Sequence, residues 1–307
     1  MLDVRRLALL AKVIETGSVT AAAGELNYTP SAVSQQLRRL EAEVGQPLLQ
    51  RLARGVVPTE AGEVLAAHAR RVQAQLAAAE ADLAEVAGLR RGSVAIGTFP
   101  TVGSSLLPLV VRQFKAEHPR IRISVQSARL DLLMDMLARG EVGLSLLWDY
   151  EWNRLPGGEF ELTDLLEDPT VLVVSADHRV ARRRTVTMAE LAGEEWIVRE
   201  QDHPVAEVLE RSCRSAGFKP RIAFHANDYQ EAQAMVSVGL GIALAPRTAV
   251  ANRNPDVRIV SVGSTAPSRR VVVARRRDRV SAPSEKEMLR VMREVAADYR
   301  ASFGRGA

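Results

Sequence analysis

Cysteine is almost absent: Cys213 stands alone in 307 residues. No intramolecular disulfide is open to the chain, and a reducing, cytoplasmic setting is expected. Aromatic residues make up 4% of the sequence, so Leu, Val, Ile and Ala must supply the core. No apolar run has the length of a bilayer span, so no membrane partner is expected. Arg5 and Arg6 ahead of Leu7-Ala8-Leu9-Leu10 imitate the start of a secretory signal. Lys12 cuts that run short, and no small-residue cleavage site follows promptly.

Catalytic and metal motifs are missing as well. His68, His118, His178, His203 and His225 are scattered without metal-ligand spacing. There is no Gly-x-Ser-x-Gly elbow and no phosphate loop ending in Gly-Lys-Ser/Thr. Gly239-Leu240-Gly241 lacks the third glycine of a dinucleotide fingerprint and falls between a helix and a strand, the wrong order. Cys213 sits mid-helix between Ser212 and Arg214, the setting of a structural thiol. No enzymatic activity, metal or cofactor is therefore expected.

A net charge of +4 permits nucleic-acid binding without locating it. Residues 1–58 carry +2, 59–91 carry −1, 92–267 carry −3 and 268–307 carry +6. The most basic stretch is thus the C-terminal tail, where Arg275-Arg276-Arg277 is expected to be a solvated face, with contacts to DNA or a partner subunit as the alternative. Function must be sought in pattern.

The first sixty residues carry such a pattern. Asp3 can cap a helix with the apolar stripe Leu7, Leu10, Ala11 and Ile14, ended by Gly17. Ser18 can cap a second, short helix through Leu26, and the small Ala21–Ala23 lets helices cross closely. Thr29-Pro30 starts a third, with Val33, Leu37, Leu40 and Val44 on one arc. Ser31, Gln35 and Arg38 occupy the opposite arc, with Ser34 and Arg39 on its flanks. These types bond phosphates and base edges. On this helix alone, an ordinary solvated face accounts for them equally well. Gly45-Gln46-Pro47 closes the helix, and Leu48–Arg51 and Val56-Val57 can pair as a wing around Arg54-Gly55.

The run Ser18 to Ala23, then Thr29-Pro30-Ser31-Ala32-Val33-Ser34-Gln35-Gln36-Leu37-Arg38-Arg39-Leu40-Glu41, then Gly45 to Leu49, Arg51 and Pro58 to Gly62 resembles the signature of the LysR family of bacterial transcriptional regulators. Leu49 and Pro58 depart from the Phe and Leu usual at those places. The resemblance implies a winged helix-turn-helix over residues 1–58 that binds double-stranded operator DNA. Thr29, Ser31, Ser34, Gln35, Arg38 and Arg39 are its candidate contacts, with Arg51 and Arg54 on the wing.

Residues 59–91 predict a linker helix and hinge. Leu65, Ala69, Val72, Leu76, Ala79, Leu83 and Val86 alternate spacings of four and three, a heptad seam. Leu65, Val72, Leu76 and Leu83 are the candidate dimerisation residues, packing on the chain's own domain being the alternative. From Ser93 onward short apolar strands alternate with helices, the pattern of an α/β domain. This order is similar to the two-lobed, periplasmic-binding-protein-like effector domain of LysR regulators. By that likeness residues 92–307 hold lobe I (92–162 and 268–302) and lobe II (163–267).

A small-molecule effector would sit at strand C-termini between the lobes. Thr98, Thr101, Ser104, Ser127, Trp148, Arg199, His203 and Asn227 are placed there by this rule. Helix capping by Thr101 or Ser104, core packing of Trp148 and an exposed loop position for Arg199 remain open alternatives. Asp149 and Glu151 suit a cationic effector and Arg199 an anionic one, so ligand charge stays open. Homodimers or dimers of dimers follow from the resemblance, with RNA polymerase as a further candidate partner. A solute-binding protein and an α/β enzyme are the rival readings. The first conflicts with the helix-turn-helix and the missing export signal, the second with the missing catalytic cluster.

Overall fold

The computed structural model describes residues 2–52, 55–86, 92–199 and 204–303. Three helices open the chain: α1 (Val4–Thr16), α2 (Val19–Glu25) and α3 (Pro30–Val44). Their ends follow the capping residues. Asp3 accepts from the Arg5 N–H, Ser18 from that of Ala21 and Thr29 from that of Ala32. Gly17 and Gly45 end α1 and α3 in the left-handed conformation. Leu10, Val13, Val33, Leu40 and Leu48 are buried at the centre of this unit.

The wing is β1 (Leu49–Arg51) against β2 (Val56–Pro58), antiparallel, with Leu49 opposite Pro58. Thr59 then starts α4 (Glu60–Val86), donating to the Pro47 carbonyl at 2.8 Å and accepting from the Gly62 N–H at 3.1 Å. A Cβ at Gly62 would lie 2.0 Å from the Leu48 carbonyl oxygen, so only glycine lets α4 approach the wing here.

The second domain is two α/β lobes of one design. The first lobe holds β3 (Ser93–Thr98), a short helical turn α5 (Pro100–Gly103), α6 (Leu106–Glu117), β4 (Arg122–Ser127), α7 (Leu130–Arg139), β5 (Leu144–Asp149), β6 (Phe160–Asp168), β12 (Arg269–Arg276) and α10 (Pro283–Phe303). The second holds β7 (Thr170–Ser175), β8 (Glu195–Arg199), α8 (Pro204–Ser215), β9 (Arg221–Ala226), α9 (Tyr229–Ser237), β10 (Ala243–Pro246) and β11 (Val257–Ser261).

Strand order in the first sheet is β4-β3-β5-β12-β6. The pairs β4–β3 and β3–β5 are parallel; β5–β12 and β12–β6 are antiparallel. In the second lobe the parallel pair β8–β9 joins β10 through a parallel bridge between Trp196 and Ile242, and β10–β7–β11 continues antiparallel. Both lobes therefore show the same order and the same directions. Central β5 is buried along its whole length, as a strand covered on both faces must be.

The lobe boundary differs from the sequence expectation of 162/163. The extended stretch 160–175 is two strands broken at Pro169, and β6 pairs with β12 from Phe160 through Asp168. Hydrogen bonding thus keeps residues 163–168 in the first lobe. Sequence alone shows one long extended stretch and cannot tell which sheet each half joins.

The chain passes between lobes twice, after Asp168 and before Arg269, and these two residues face each other across the β6–β12 ladder. They form a buried ion pair. Arg269 Nε and Nη2 donate to Asp168 Oδ2 at 2.9 and 2.8 Å. Nη2 also donates to the hydroxyls of Thr101 in the first lobe and Thr248 in the second, both at 2.7 Å. Asp168 accepts further from the Thr248 N–H at 3.0 Å and its hydroxyl at 2.7 Å. One guanidinium therefore ties both lobes at their crossings.

Removing one partner strands the other charge away from water. Arg269→Met is expected to cost about 3–5 kcal/mol of stability, measured as the shift in urea midpoint of the full chain. Arg269→Met with Asp168→Leu should recover most of that loss. A single substitution no more costly than a surface change, under about 0.5 kcal/mol, would contradict this account of the crossing.

Candidate nucleic-acid interface and interlobe cleft

Helix α3 is amphipathic with a purpose visible in its partners. Val33, Leu37 and Leu40 are buried against α1 and α2. Ser31, Gln35, Arg38 and Arg39 are exposed on the far side, and Ser34 is half-buried. Thr29 is exposed, caps the helix and lies 3.1 Å from the Ser31 hydroxyl.

The acidic residues of α3 are drawn inward. Glu41 accepts from the Leu48 and Leu49 N–H groups at 2.9 and 3.3 Å, and so fixes the entry to the wing. Arg6 of α1 pairs with Glu43 and donates to Gln36 at 3.0 Å. Among the described residues Arg38 and Arg39 make no ion pair. The outward arc thus offers hydroxyls, an amide and two guanidinium groups, the set that recognises phosphates and base edges. Arg51 lies on β1 opposite Val56. Arg54 lies outside the described residues.

The seam on α4 divides in two. Ala66 and Ala69 are fully buried, and Ala69 and Leu65 pack into the core of the first domain. Leu65 is partly buried against that core, the own-domain packing that the sequence left open for this seam. The pattern is the same for both uses, because a heptad does not say which surface covers it. Val72 is half-buried and faces a groove shared with Arg276 and Val280. Further along, Leu76 is 49% and Leu83 69% exposed.

In the second domain the strand ends bring two groups of predicted residues together. Thr98, Thr101 and Trp148 are buried on the first lobe, and Ser127, opposite Thr98 on edge strand β4, is exposed. Ser104 spends its hydroxyl on the Thr101 carbonyl, while its own carbonyl accepts from Asn252 of the second lobe at 3.1 Å. On that lobe Arg199 Nε donates to the Asn227 carbonyl at 3.0 Å, and the Asn227 amide donates to Glu231 at 3.1 Å. His203 lies outside the described residues.

Several cleft residues escaped the sequence reading. Asp168 and Arg269 are buried, and Arg269 lies 5.0 Å from the Phe99 ring and 5.8 Å from that of Trp148. Tyr150 stands edge-on to Trp148 and stacks on Trp152, over which Arg211 of the second lobe sits at 4.7 Å. Burial pushes the Tyr150 phenol up to about 12, so it stays protonated at neutral pH.

Asp149 is no cation site. It accepts from Arg270 at 3.0 and 2.6 Å, from Arg154 at 2.9 Å and from the Leu155 N–H at 3.0 Å. Burial works to raise its carboxyl, yet these bonds outweigh it and hold it below the usual carboxylate range. The basic tail is likewise largely paired: Arg270 with Asp149 and Asp164, Arg275 with Glu161, Arg276 with Asp278 and Arg290 with Glu117. Part of its charge is thus spent on neighbouring acids of the same domain, while Arg277, Lys286, Arg293 and Arg300 stay exposed.

Among the described residues no group of His, Cys, Asp and Glu could hold a metal ion, and no single helix is long and apolar enough to cross a membrane.

Comparison with known proteins agrees with this geometry along the whole chain. The family described as "Bacterial regulatory helix-turn-helix protein, lysR family" matches residues 4–63, and "LysR substrate binding domain" matches residues 87–297. The transcriptional dual regulator GltC of Bacillus subtilis is 26% identical over 287 residues, 92% of this chain and 94% of that protein. The transcriptional dual regulator OxyR of Escherichia coli is 29% identical over 249 residues, 81% of this chain and 80% of that one. Among solved structures, a full-length OxyR variant from Pseudomonas aeruginosa superposes with a TM-score of 0.77 at 19% identity, covering 96% of this chain and 95% of that one. CbnR in complex with its target DNA gives 0.67 at 23% identity, covering 96% and 100%. The chain belongs to the LysR family and is a DNA-binding transcriptional regulator, not an enzyme, with an N-terminal helix-turn-helix and a C-terminal α/β effector-binding domain.

Proposed function

We propose that α3 reads operator DNA through Ser31, Ser34, Gln35, Arg38 and Arg39, with Thr29 at its start and Arg51 and Arg54 of the wing on flanking phosphates. The observation that carries this is the outward arc itself: among the described residues its two arginines have no carboxylate partner, while Glu41 and Glu43 of the same helix are bonded to other parts of the domain. Two chains would place paired arcs in successive major grooves of an interrupted inverted repeat. The half of α4 with exposed Leu76 and Leu83 offers the apolar side of such a pair. CbnR is described with its target DNA, which supports the same mode of use here.

An effector enters between the lobes and shifts the balance between two arrangements of them, which requires that it bind those arrangements unequally. Thr98, Thr101, Ser127, Trp148, Arg199 and Asn227 line the space, with Ser104 behind it. The assembly is a dimer or a dimer of dimers acting in the cytoplasm, with RNA polymerase as the partner that its promoter occupancy influences.

Peroxide sensing is a second reading, since relatives at 29% identity are named hydrogen peroxide-inducible genes activators. Cys213 opposes it. The thiol is fully buried, and burial pushes it up to about 12, so thiolate at neutral pH is negligible.

Gln35→Ala with Arg38→Ala should weaken operator binding at least about tenfold while circular dichroism stays unchanged, because one bidentate base contact is worth about 1–3 kcal/mol. Unaltered affinity would remove α3 from the interface. Leu76→Asp with Leu83→Asp should raise the dimer dissociation constant, read by sedimentation equilibrium. A wild-type profile would assign the exposed seam no role in assembly.

A further inference from the structure

Between the lobes lies a buried donor that bonds nothing among the described residues. Tyr229 opens α9 on the second lobe and is 7% exposed, and its Oη has no hydrogen-bond partner. Its electrostatic neighbours are Tyr150, Arg269, Arg199 and Asp168, so the phenol points to the seam between the lobes. Burial raises its pKa, and the group is an O–H donor at neutral pH. A hydroxyl withdrawn from water without an acceptor is a standing cost, and native interiors rarely carry one without a use.

The buried carboxylates of the domain are already engaged. Asp168 serves Arg269 and Thr248, and Asp149 serves Arg270 and Arg154. The Asn227 carbonyl accepts from Arg199, whose guanidinium also lies 5.5 Å from the Tyr229 ring. No acceptor among the described residues bonds Tyr229, so a ligand with its own acceptor fits here, in a region where arginines hold the buried carboxylates. A cationic ligand gains nothing from a phenol O–H donor and faces the like charge of Arg199 and Arg269. A carboxylate oxygen is the stronger match to a phenol O–H beside guanidinium groups. The rings of Phe99, Trp148 and Tyr150 stand beside the same seam and give the ligand's apolar body a surface.

We propose that Tyr229 is an effector-binding residue and that its hydroxyl anchors a carboxylate of a small acidic effector; this rests on the cleft being the effector site. Residues 227–229 bring the anchor in from the second lobe, so engagement of Tyr229 couples ligand binding to the position of that lobe.

The test uses the full chain, with thermal shift and tryptophan fluorescence read against acetate, succinate and benzoate at constant ionic strength. Tetramethylammonium chloride serves as the cationic control. Saturable stabilisation by at least one carboxylate is expected, none by tetramethylammonium, and an affinity about tenfold or more weaker in Tyr229→Phe. Without ligand, Tyr229→Phe should melt at or above the wild-type temperature, because it deletes an unpaired hydroxyl. A lower melting temperature would assign the hydroxyl a structural bond and overturn the proposal. No response to any of the three carboxylates, or an equal response in Tyr229→Phe, overturns it too. A response that survives Tyr229→Phe but is lost in Trp148→Ala removes Tyr229 and keeps the cleft. One that survives both removes the cleft as the effector site.

Discussion

The buried pair of Arg269 and Asp168 is the constraint on which the second domain turns. Both passages between the lobes meet there, and a single guanidinium nitrogen reaches Thr101 on one lobe and Thr248 on the other. Buried charges repay their desolvation only when geometry is good and remaining lone pairs are filled. Here Asp168 accepts from Arg269 and from two groups of Thr248, which meets that condition. Such a knot does not deform gradually. A change in lobe angle that separates Thr101 from Thr248 would have to break or exchange specific bonds, the kind of choice between arrangements that the proposed effector response requires.

Helix α4 leads from the first domain toward the second. Its first turns are part of the helix-turn-helix core through Leu65 and Ala69, so the recognition arc cannot move independently of that end of the helix. Its later turns expose Leu76 and Leu83. One helix therefore has two settings along its length: a start packed into the first domain, then an exposed apolar half, the surface proposed above for a second chain. The close approach at Gly62 and the cap at Thr59 keep the junction between wing and helix stiff.

Local signals were the legible ones. Asp3, Ser18, Thr29 and the two left-handed glycines, Gly17 and Gly45, mark helix ends in sequence because capping depends on neighbours a few residues away. The polar arc of α3 was readable for the same reason. What was not readable involves partners far apart in the chain. Asp168 and Arg269 are separated by 101 residues, and nothing in the tail's composition distinguishes Arg269, buried and paired, from a solvated arginine. Tyr229 gave no signal because its significance is the lack of a partner. The division at Pro169 was hidden inside one extended run, since strand pairing, not propensity, decides which sheet each half joins.

In the proposed assembly, paired chains present the α3 arcs to duplex DNA in a fixed symmetric arrangement. Selection of bound duplexes from a randomised pool, using the full chain at moderate salt, tests it most directly. The account predicts enrichment of one half-site in two inverted copies, their centres separated by about one helical turn, 10–10.5 base pairs, or a multiple of it. Recovery of no enriched sequence, or of a single unrepeated site, would contradict it.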